Sequence, residues 1–259
     1  MKHITTETKN RTGIITLSNP KKRNALSNEM NTEIADALAG FKTQKLLTVV
    51  IRAEKNARVW SAGHDIAELP CNGKDPLAYN TPMEQMLRAI EAYPGVVLAM
   101  IQGSVWGGAC DMAMTCDIII ADENSSFAIT PIKIGLPYNP SGIIHFRNRV
   151  GLGFAKDMFF TARPVLAERA YKAGIINHFV PAHEIEEYTF RLTDEINGYS
   201  PLAIGIIKEQ MRILFRATPV SPDAFEQIDQ LRHTVYCSED YQEGLKAFAE
   251  KRKAVFKGK

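Results

Sequence analysis

Short β-branched runs that recur between longer amphipathic stretches set the strongest limit on how this chain can fold. Gly13 to Leu17, Thr48 to Arg52, Val96 to Gln102, Asp117 to Ala121, Ser126 to Thr130 and Ile175 to Val180 all read as strands, and helical patterns fill the longer intervals. Strands alternating with helices argue for an α/β architecture. Between the first two runs, Asn28 to Thr43 carries Met30, Ile34, Leu38 and Phe41 near helical spacing, with Ser27 placed to cap it. The expected element is a surface helix on a sheet.

The alternation stops at about Ser200. PLAIGIIKEQMRILFRA and AFEQIDQLRHTVYCSEDYQEGLKAFAEKRK are helical patterns with no strand between them. Residues 1–199 are therefore expected to form an α/β core, and 200–259 a helical subdomain that packs on the core or on a neighbouring subunit. No exact repeat and no low-complexity segment interrupts the chain. The loop from Pro70 to Pro76 has turn formers in Asn72 and Gly73, but no composition shift crosses it, so it marks no domain boundary.

With 259 residues, 45% hydrophobic and 23% charged, the chain can bury an ample core without metal or disulfide staples. Its 31 basic and 29 acidic residues are too balanced for a nucleic-acid or membrane surface. The polar N-terminus and the lack of any run near about 18 apolar residues argue against a targeting or spanning segment. Cys71, Cys110, Cys116 and Cys237 form no C-x-x-C pair and no zinc pattern, which suggests a reducing compartment. The expected setting is the cytoplasm.

Two stretches carry chemistry. In SAGHDI, Gly63 and His64 follow the apolar pair Val59 and Trp60 and precede a stretch able to start a helix. In QGSVWGGACDMAMTCD, an apolar strand runs to Gly103, turns through Trp106, Gly107 and Gly108, and enters a helix expected to begin with Ala109. Taken alone, the paired glycines read first as a tight turn. Taken with the Gly63-His64 junction, they offer two backbone N–H groups at strand-to-helix turns, the composition of an oxyanion hole.

These residues resemble the crotonase (enoyl-CoA hydratase/isomerase) superfamily over nearly the whole chain. The similarity runs through PKKRNALS (Pro20 to Ser27), WSAGHDI (Trp60 to Ile66), GSVWGGACD (Gly103 to Asp111), CDIIIA (Cys116 to Ala121), Phe127 to Gly135, AYKAGII (Ala170 to Ile176) and AFAEKR (Ala247 to Arg252). The resemblance implies repeated ββα turns wound into a spiral, with C-terminal helices that build homotrimers, often paired as hexamers. It also implies an acyl-CoA thioester whose carbonyl oxygen receives the backbone N–H groups of His64 and Gly108. CoA is then part of the substrate, and no separate cofactor or metal is expected.

By the same resemblance, Lys22, Arg23, Ala25, Ala62, Asp65 and Ile66 line the CoA path, with Lys22 and Arg23 as phosphate donors. Lys21 to Arg23 read equally well as a solvated charge run. Lys251 or Arg252 is a further candidate for reaching CoA from the C-terminal end. The segment Cys71 to Pro82, CNGKDPLAYNTP, is a candidate lid.

Hydratases of the superfamily use two glutamates to hold and activate water. Here the matching positions are Asp111 and Pro131, and a proline cannot exchange a proton. Isomerases keep the acid that falls at Pro131, so their chemistry also lacks its base. Decarboxylation of a 2-carboxyacyl thioester needs neither group. The decarboxylase branch is the nearest resemblance, through SAGHDI, Thr130-Pro131, GLPYN (Gly135 to Asn139) and SEDYQEG (Ser238 to Gly244). It implies conversion of methylmalonyl-CoA to propionyl-CoA by stabilising a thioester enolate.

In that scheme Tyr138, between Pro137 and Pro140, is the expected handle for the substrate carboxylate; read on its own, it is a core or interface aromatic. The His64 ring or a water protonates the enolate, Thr130 adds a hydroxyl, and Trp106 supplies wall. Asp111 departs from the glutamate expected of the branch, which leaves its role open. The rival readings are a short-chain enoyl-CoA hydratase that works through Asp111 and a non-catalytic CoA-ester-binding scaffold.

Overall fold

In the computed structural model, which describes residues 1–70, 74–215 and 221–258, the strands form two sheets. The larger runs in the order β1 (Ile4–Lys9), β2 (Thr12–Leu17), β3 (Thr48–Ala53), β5 (Val96–Ile101), β7 (Ile118–Ala121) and β10 (His178–Phe179). β1 and β2 form an antiparallel hairpin, and every later neighbour is parallel. The smaller sheet sets β4 (Val59–Ser61), β6 (Ser104–Trp106) and β8 (Ser126–Ala128) in parallel, with β9 (Val165–Leu166) antiparallel at its edge.

Chain order gives the spiral. After α1 (Asn28–Thr43), β3 and β4 lead to α2 (Pro82–Glu91), β5 and β6 to α3 (Gly108–Thr115), and β7 and β8 to α4 (Pro140–Thr161). Each turn passes from the large sheet to the small one and then into a helix, as the resemblance implies. α1 has the bounds its periodicity predicts, and Ser27 accepts the Met30 N–H at 3.2 Å.

The large sheet is apolar on both faces because both are covered. Val49 and Ile51 of β3, with Val97, Ala99 and Ile101 of β5, join the main core with Met30, Ile34 and Leu38 of α1. The residues between them, Val50, Leu98 and Met100, point the other way, against Ile185, Phe190 and Ile196 of α6 (Ile185–Asn197). This side-to-side alternation is the period-two rule of strands.

Several strand ends differ from the sequence reading. The run Ser126 to Thr130 stops pairing at Ala128, because Thr130 and Pro131 open a 3-10 turn over Pro131–Ile134. Only His178 and Phe179 of the run Ile175 to Val180 pair as a strand. α3 begins at Gly108, one residue before the expected Ala109. Cys71, Asn72 and Gly73, and Arg216 and Ala217 of the helical pattern after Ser200, lie outside the described residues.

After α5 (Ala167–Lys172) and α6, the chain ends in α7 (Pro201–Phe215), α8 (Pro222–Tyr236) and α9 (Glu239–Ala249). Tyr241 and Leu245 of α9 pack with Ile134 and Leu136 beside the 3-10 turn. α7 is tied to the core by Lys208, whose Nζ donates to Asp117 Oδ2 at 2.6 Å, Gly95 O at 3.1 Å and Ile90 O at 3.2 Å. Among the described residues no helix is long and apolar enough to cross a membrane. Replacing Lys208→Met should strand these acceptors and lower stability by about 2–3 kcal/mol. Thermal unfolding with limited proteolysis of α7 checks this.

Candidate active site

Three turns meet where β4, β6 and β8 end. The parallel registers Val59↔Ser104 and Trp106↔Ala128 bring residues 62–65, Gly107-Gly108 and Thr130-Pro131 to one edge of the small sheet. Ligands of parallel α/β sheets bind at the carboxyl ends of strands for this reason. The loop Asn19 to Leu26 closes the edge: Ala62 N donates to Arg23 O at 2.9 Å, and Leu26 N donates to Gly63 O at 2.7 Å.

The two glycines decide how close these turns come. Gly63 has φ of 84°, and a β-carbon there would sit 2.3 Å from Trp106 O and 3.1 Å from Gly108 N. A β-carbon on Gly108 would lie 3.5 Å from His64 N. The N–H groups of His64 and Gly108 thus share one small region. Neither donates to a protein acceptor among the described residues. Gly108 is the first residue of α3, whose opening N–H groups have no partner within the helix.

His64 has a half-buried ring, and its Nδ1 is buried without a partner among the described residues. Burial lowers its pKa, against the opposing pull of Glu68 and Asp65, so at neutral pH the ring is uncharged. The Thr130 hydroxyl lies 3.7 Å from the place where a β-carbon on Gly107 would stand. Pro131 starts the 3-10 turn and leaves no acid at that position. Trp106 is half-buried, its indole N–H held by Ser104 Oγ at 2.8 Å.

On the CoA side, Lys22 reaches Asp65 Oδ2 at 2.7 Å, and Asp65 caps the turn Ile66–Glu68 by accepting the Ala67 N–H at 3.2 Å. Burial would raise the Asp65 pKa, but Lys22 and that N–H lower it. Arg23 is exposed in a left-handed conformation, while Ala25 is buried behind it. Arg252 is not turned toward this loop: its guanidinium is paired with Glu243 and Glu250. Asp75, inside the candidate lid, is held by Arg232 of α8 at 2.6 Å and by Tyr236 Oη at 3.0 Å.

Tyr138 is buried, and its hydroxyl donates to Gly107 O at 3.2 Å. Burial, then the nearby Asp111, Cys110 and Glu84, push its pKa well up, so it stays a donor. Asp111 is fully buried and turned into a polar cluster behind α3. Its Oδ1 pairs with His145 Nδ1 at 2.7 Å, and His145 Nε2 lies 3.3 Å from Glu91 Oε1. Asn139 Nδ2 donates to Glu84 Oε1 at 2.5 Å, and burial raises the Glu84 pKa. A cavity of about 1130 Å³ borders this cluster between α2, α4, α7 and α8, but His64, Gly108 and Tyr138 do not line it.

Two features escaped the sequence reading. Asn24, buried with φ of 52°, gives its Nδ2 to Trp60 O at 3.0 Å and accepts the Asn19 N–H at 2.8 Å. Asparagine tolerates this left-handed conformation, so an Asn after charged turn residues was the available signal. His145 gave none, since its partner lies 34 positions away.

The sequence profile described as enoyl-CoA hydratase/isomerase matches residues 7–259. The chain is 41% identical over 256 residues to methylmalonyl-CoA decarboxylase of Escherichia coli (strain K12), covering 99% of this chain and 98% of that one. It is 31% identical to a probable mitochondrial enoyl-CoA hydratase of Dictyostelium discoideum, covering 98% of this chain and 91% of the other. The crystal structure of methylmalonyl-CoA decarboxylase complexed with 2S-carboxypropyl-CoA superposes with a TM-score of 0.97 at 41% identity, over 100% of this chain and 99% of that one.

His145 makes the polar cluster testable. Burial alone would lower its pKa, but the charge and hydrogen bond of Asp111, joined by Glu91, raise it to about 10. A pKa raised on folding gives stability that is full below the unfolded value of about 6.5 and lost as pH rises through the folded one. The melting temperature should therefore fall between about pH 6.5 and pH 10. In His145→Gln that decline should flatten, from a lower starting point; differential scanning calorimetry across this range checks both.

Proposed function

The chain belongs to the enoyl-CoA hydratase/isomerase family, and on that premise we propose that it decarboxylates a short 2-carboxyacyl-CoA, methylmalonyl-CoA to propionyl-CoA, without biotin or metal. One observation carries the reading. The backbone N–H groups of His64 and Gly108 stand close together with no protein acceptor among the described residues, while one acid/base position of a hydratase is a proline and the other is paired with a histidine. Pro131 cannot ionise, and the Asp111 carboxylate faces His145 behind α3.

The mechanism follows from where charge moves. The thioester oxygen accepts both amides, and the substrate carboxylate stands perpendicular to the thioester plane. The C2–carboxyl bond breaks, CO2 departs, and its electron pair enters C1–C2, placing the charge on the thioester oxygen. Donors aimed at that oxygen gain strength as the charge arrives, which is what accelerates the step. A proton drawn from water completes C2, with the His64 ring holding its donor.

The carboxylate needs orientation without a cation, since a fixed positive charge would stabilise the ground state more than the enolate. The neutral His64 ring and the Thr130 hydroxyl meet that need. Lys22, Arg23, Ala25, Ala62, Asp65 and Ile66 serve the CoA side, and Trp106 walls the acyl pocket. Exposed apolar residues of α7 and α8, among them Leu202, Leu214, Phe225 and Leu231, support assembly as a homotrimer or a pair of trimers. Native mass spectrometry should give three or six copies, and a monomer would overturn that assembly.

Purified protein mixed with methylmalonyl-CoA should release CO2 and form propionyl-CoA, with one deuterium at C2 when the solvent is D2O. Gly108→Pro, which deletes one donor, should lower kcat by about 10²–10³. Hydration of crotonyl-CoA in place of CO2 release would overturn the reading.

A further inference from the structure

The Gly107–Gly108 peptide is engaged at both ends. Its N–H, on Gly108, is one of the two free donors, and its oxygen, on Gly107, receives the Tyr138 hydroxyl at 3.2 Å. The peptide is trans, so its C=O and N–H point in opposite directions. A donor on the oxygen fixes the plane of the group and draws electrons toward the oxygen, which makes the N–H a stronger donor.

We propose that Tyr138 is a positioning residue of the oxyanion site: its hydroxyl sets the plane and polarity of the Gly107–Gly108 peptide, and so acts on the thioester oxygen through Gly108. This rests on reading the site as a thioester pocket. A phenol has one proton, and in the structure it is given to Gly107 O, so this role is an alternative to the carboxylate handle expected from the sequence.

The surroundings fit that role. Gly107 is the N-cap of α3, at φ 51°, ψ −121°, and its carbonyl also accepts the Cys110 N–H of that helix at 3.0 Å, so the phenol adds a second, side-chain hold on an oxygen the helix already engages. Tyr138 itself is held from three directions. Its own carbonyl accepts Arg232 Nη1 at 2.7 Å, and its ring meets Phe159 and Phe146 edge-on at 4.9 and 6.0 Å. A donor held this firmly keeps the peptide where the charge will appear, without reorganisation during the reaction.

The test uses full-length Tyr138→Phe, with Tyr93→Phe as control, since Tyr93 also gives its hydroxyl to a backbone oxygen, Leu46 O at 2.6 Å, away from the site. Four quantities are read: kcat, KM, affinity for the thioether 2S-carboxypropyl-CoA, which keeps the carboxylate but lacks the thioester oxygen, and the carbonyl stretch of bound carbon-13 propionyl-CoA. In Tyr138→Phe, kcat should fall about tenfold, the scale of one hydrogen bond in a site poor in water, with KM within about twofold. The carbonyl downshift should shrink measurably, since Gly108 N–H weakens while His64 N–H stays, and thioether affinity should hold. Tyr93→Phe should leave all four unchanged. Tyr138→fluorotyrosine, a stronger donor that removes no contact, should deepen the downshift.

A downshift undiminished in Tyr138→Phe overturns the proposal, and loss of thioether affinity alongside it moves the phenol onto the carboxylate. Wild-type protein that fails to decarboxylate methylmalonyl-CoA while still downshifting the carbonyl overturns the proposed function alone, and Tyr138 is then judged on the spectrum. Wild-type protein with no downshift overturns both.

Discussion

Two backbone N–H groups without protein acceptors among the described residues are the constraint around which the site is built. An unpaired amide is ordinarily filled by secondary structure or water, so keeping two side by side requires that competing acceptors be held away. The structure does this with strand ends. β4 and β6 stop pairing before His64 and Gly108, and the crowding at Gly63 forbids a side chain that would wedge the turns apart. The Asn19–Leu26 loop then pins the first turn through its backbone, with Asn24 as its buried fastener.

Polar groups near the amides divide into two zones. Beside the two amides stand a neutral imidazole, a hydroxyl and a proline. Asp111, His145, Glu91, Glu84 and Asn139 form a second cluster, whose ion pairs and hydrogen bonds run largely among its own members. That division suits a reaction in which charge travels within the substrate and no protein acid or base takes it up. A hydratase needs the opposite arrangement, with carboxylates turned forward onto a water.

Much of this was legible in the chain. α1 could be bounded to the residue because Ser27 and a clean apolar periodicity agree. Strands β2, β3, β5 and β7 of the large sheet were legible because strands covered on both sides are almost wholly apolar; the polar hairpin strand β1, exposed except at Ile4, was not. Of the small sheet the run holding β8 was read, while Val59–Ser61 and Ser104–Trp106 are too short for a period of two to declare itself. The two turns that bring His64 and Gly108 together were legible from their glycines. The Asp111–His145 pair and the bond from Tyr138 to Gly107 O join residues more than 30 positions apart, where nothing local in the sequence marks the partner.

Arg232 gives the last helices an unexpected standing. One of its nitrogens holds the carbonyl of Tyr138 and another holds Asp75, so a single side chain of α8 secures two loops of the core. A boundary drawn at residue 199 separates patterns of composition, and the Arg232 contacts cross it. Exchanging the C-terminal segment for a foreign one would therefore cut both of these holds at once. A replacement must bring a cation to the same place and at the same reach, which binds the inheritance of the tail to that of the loops it holds.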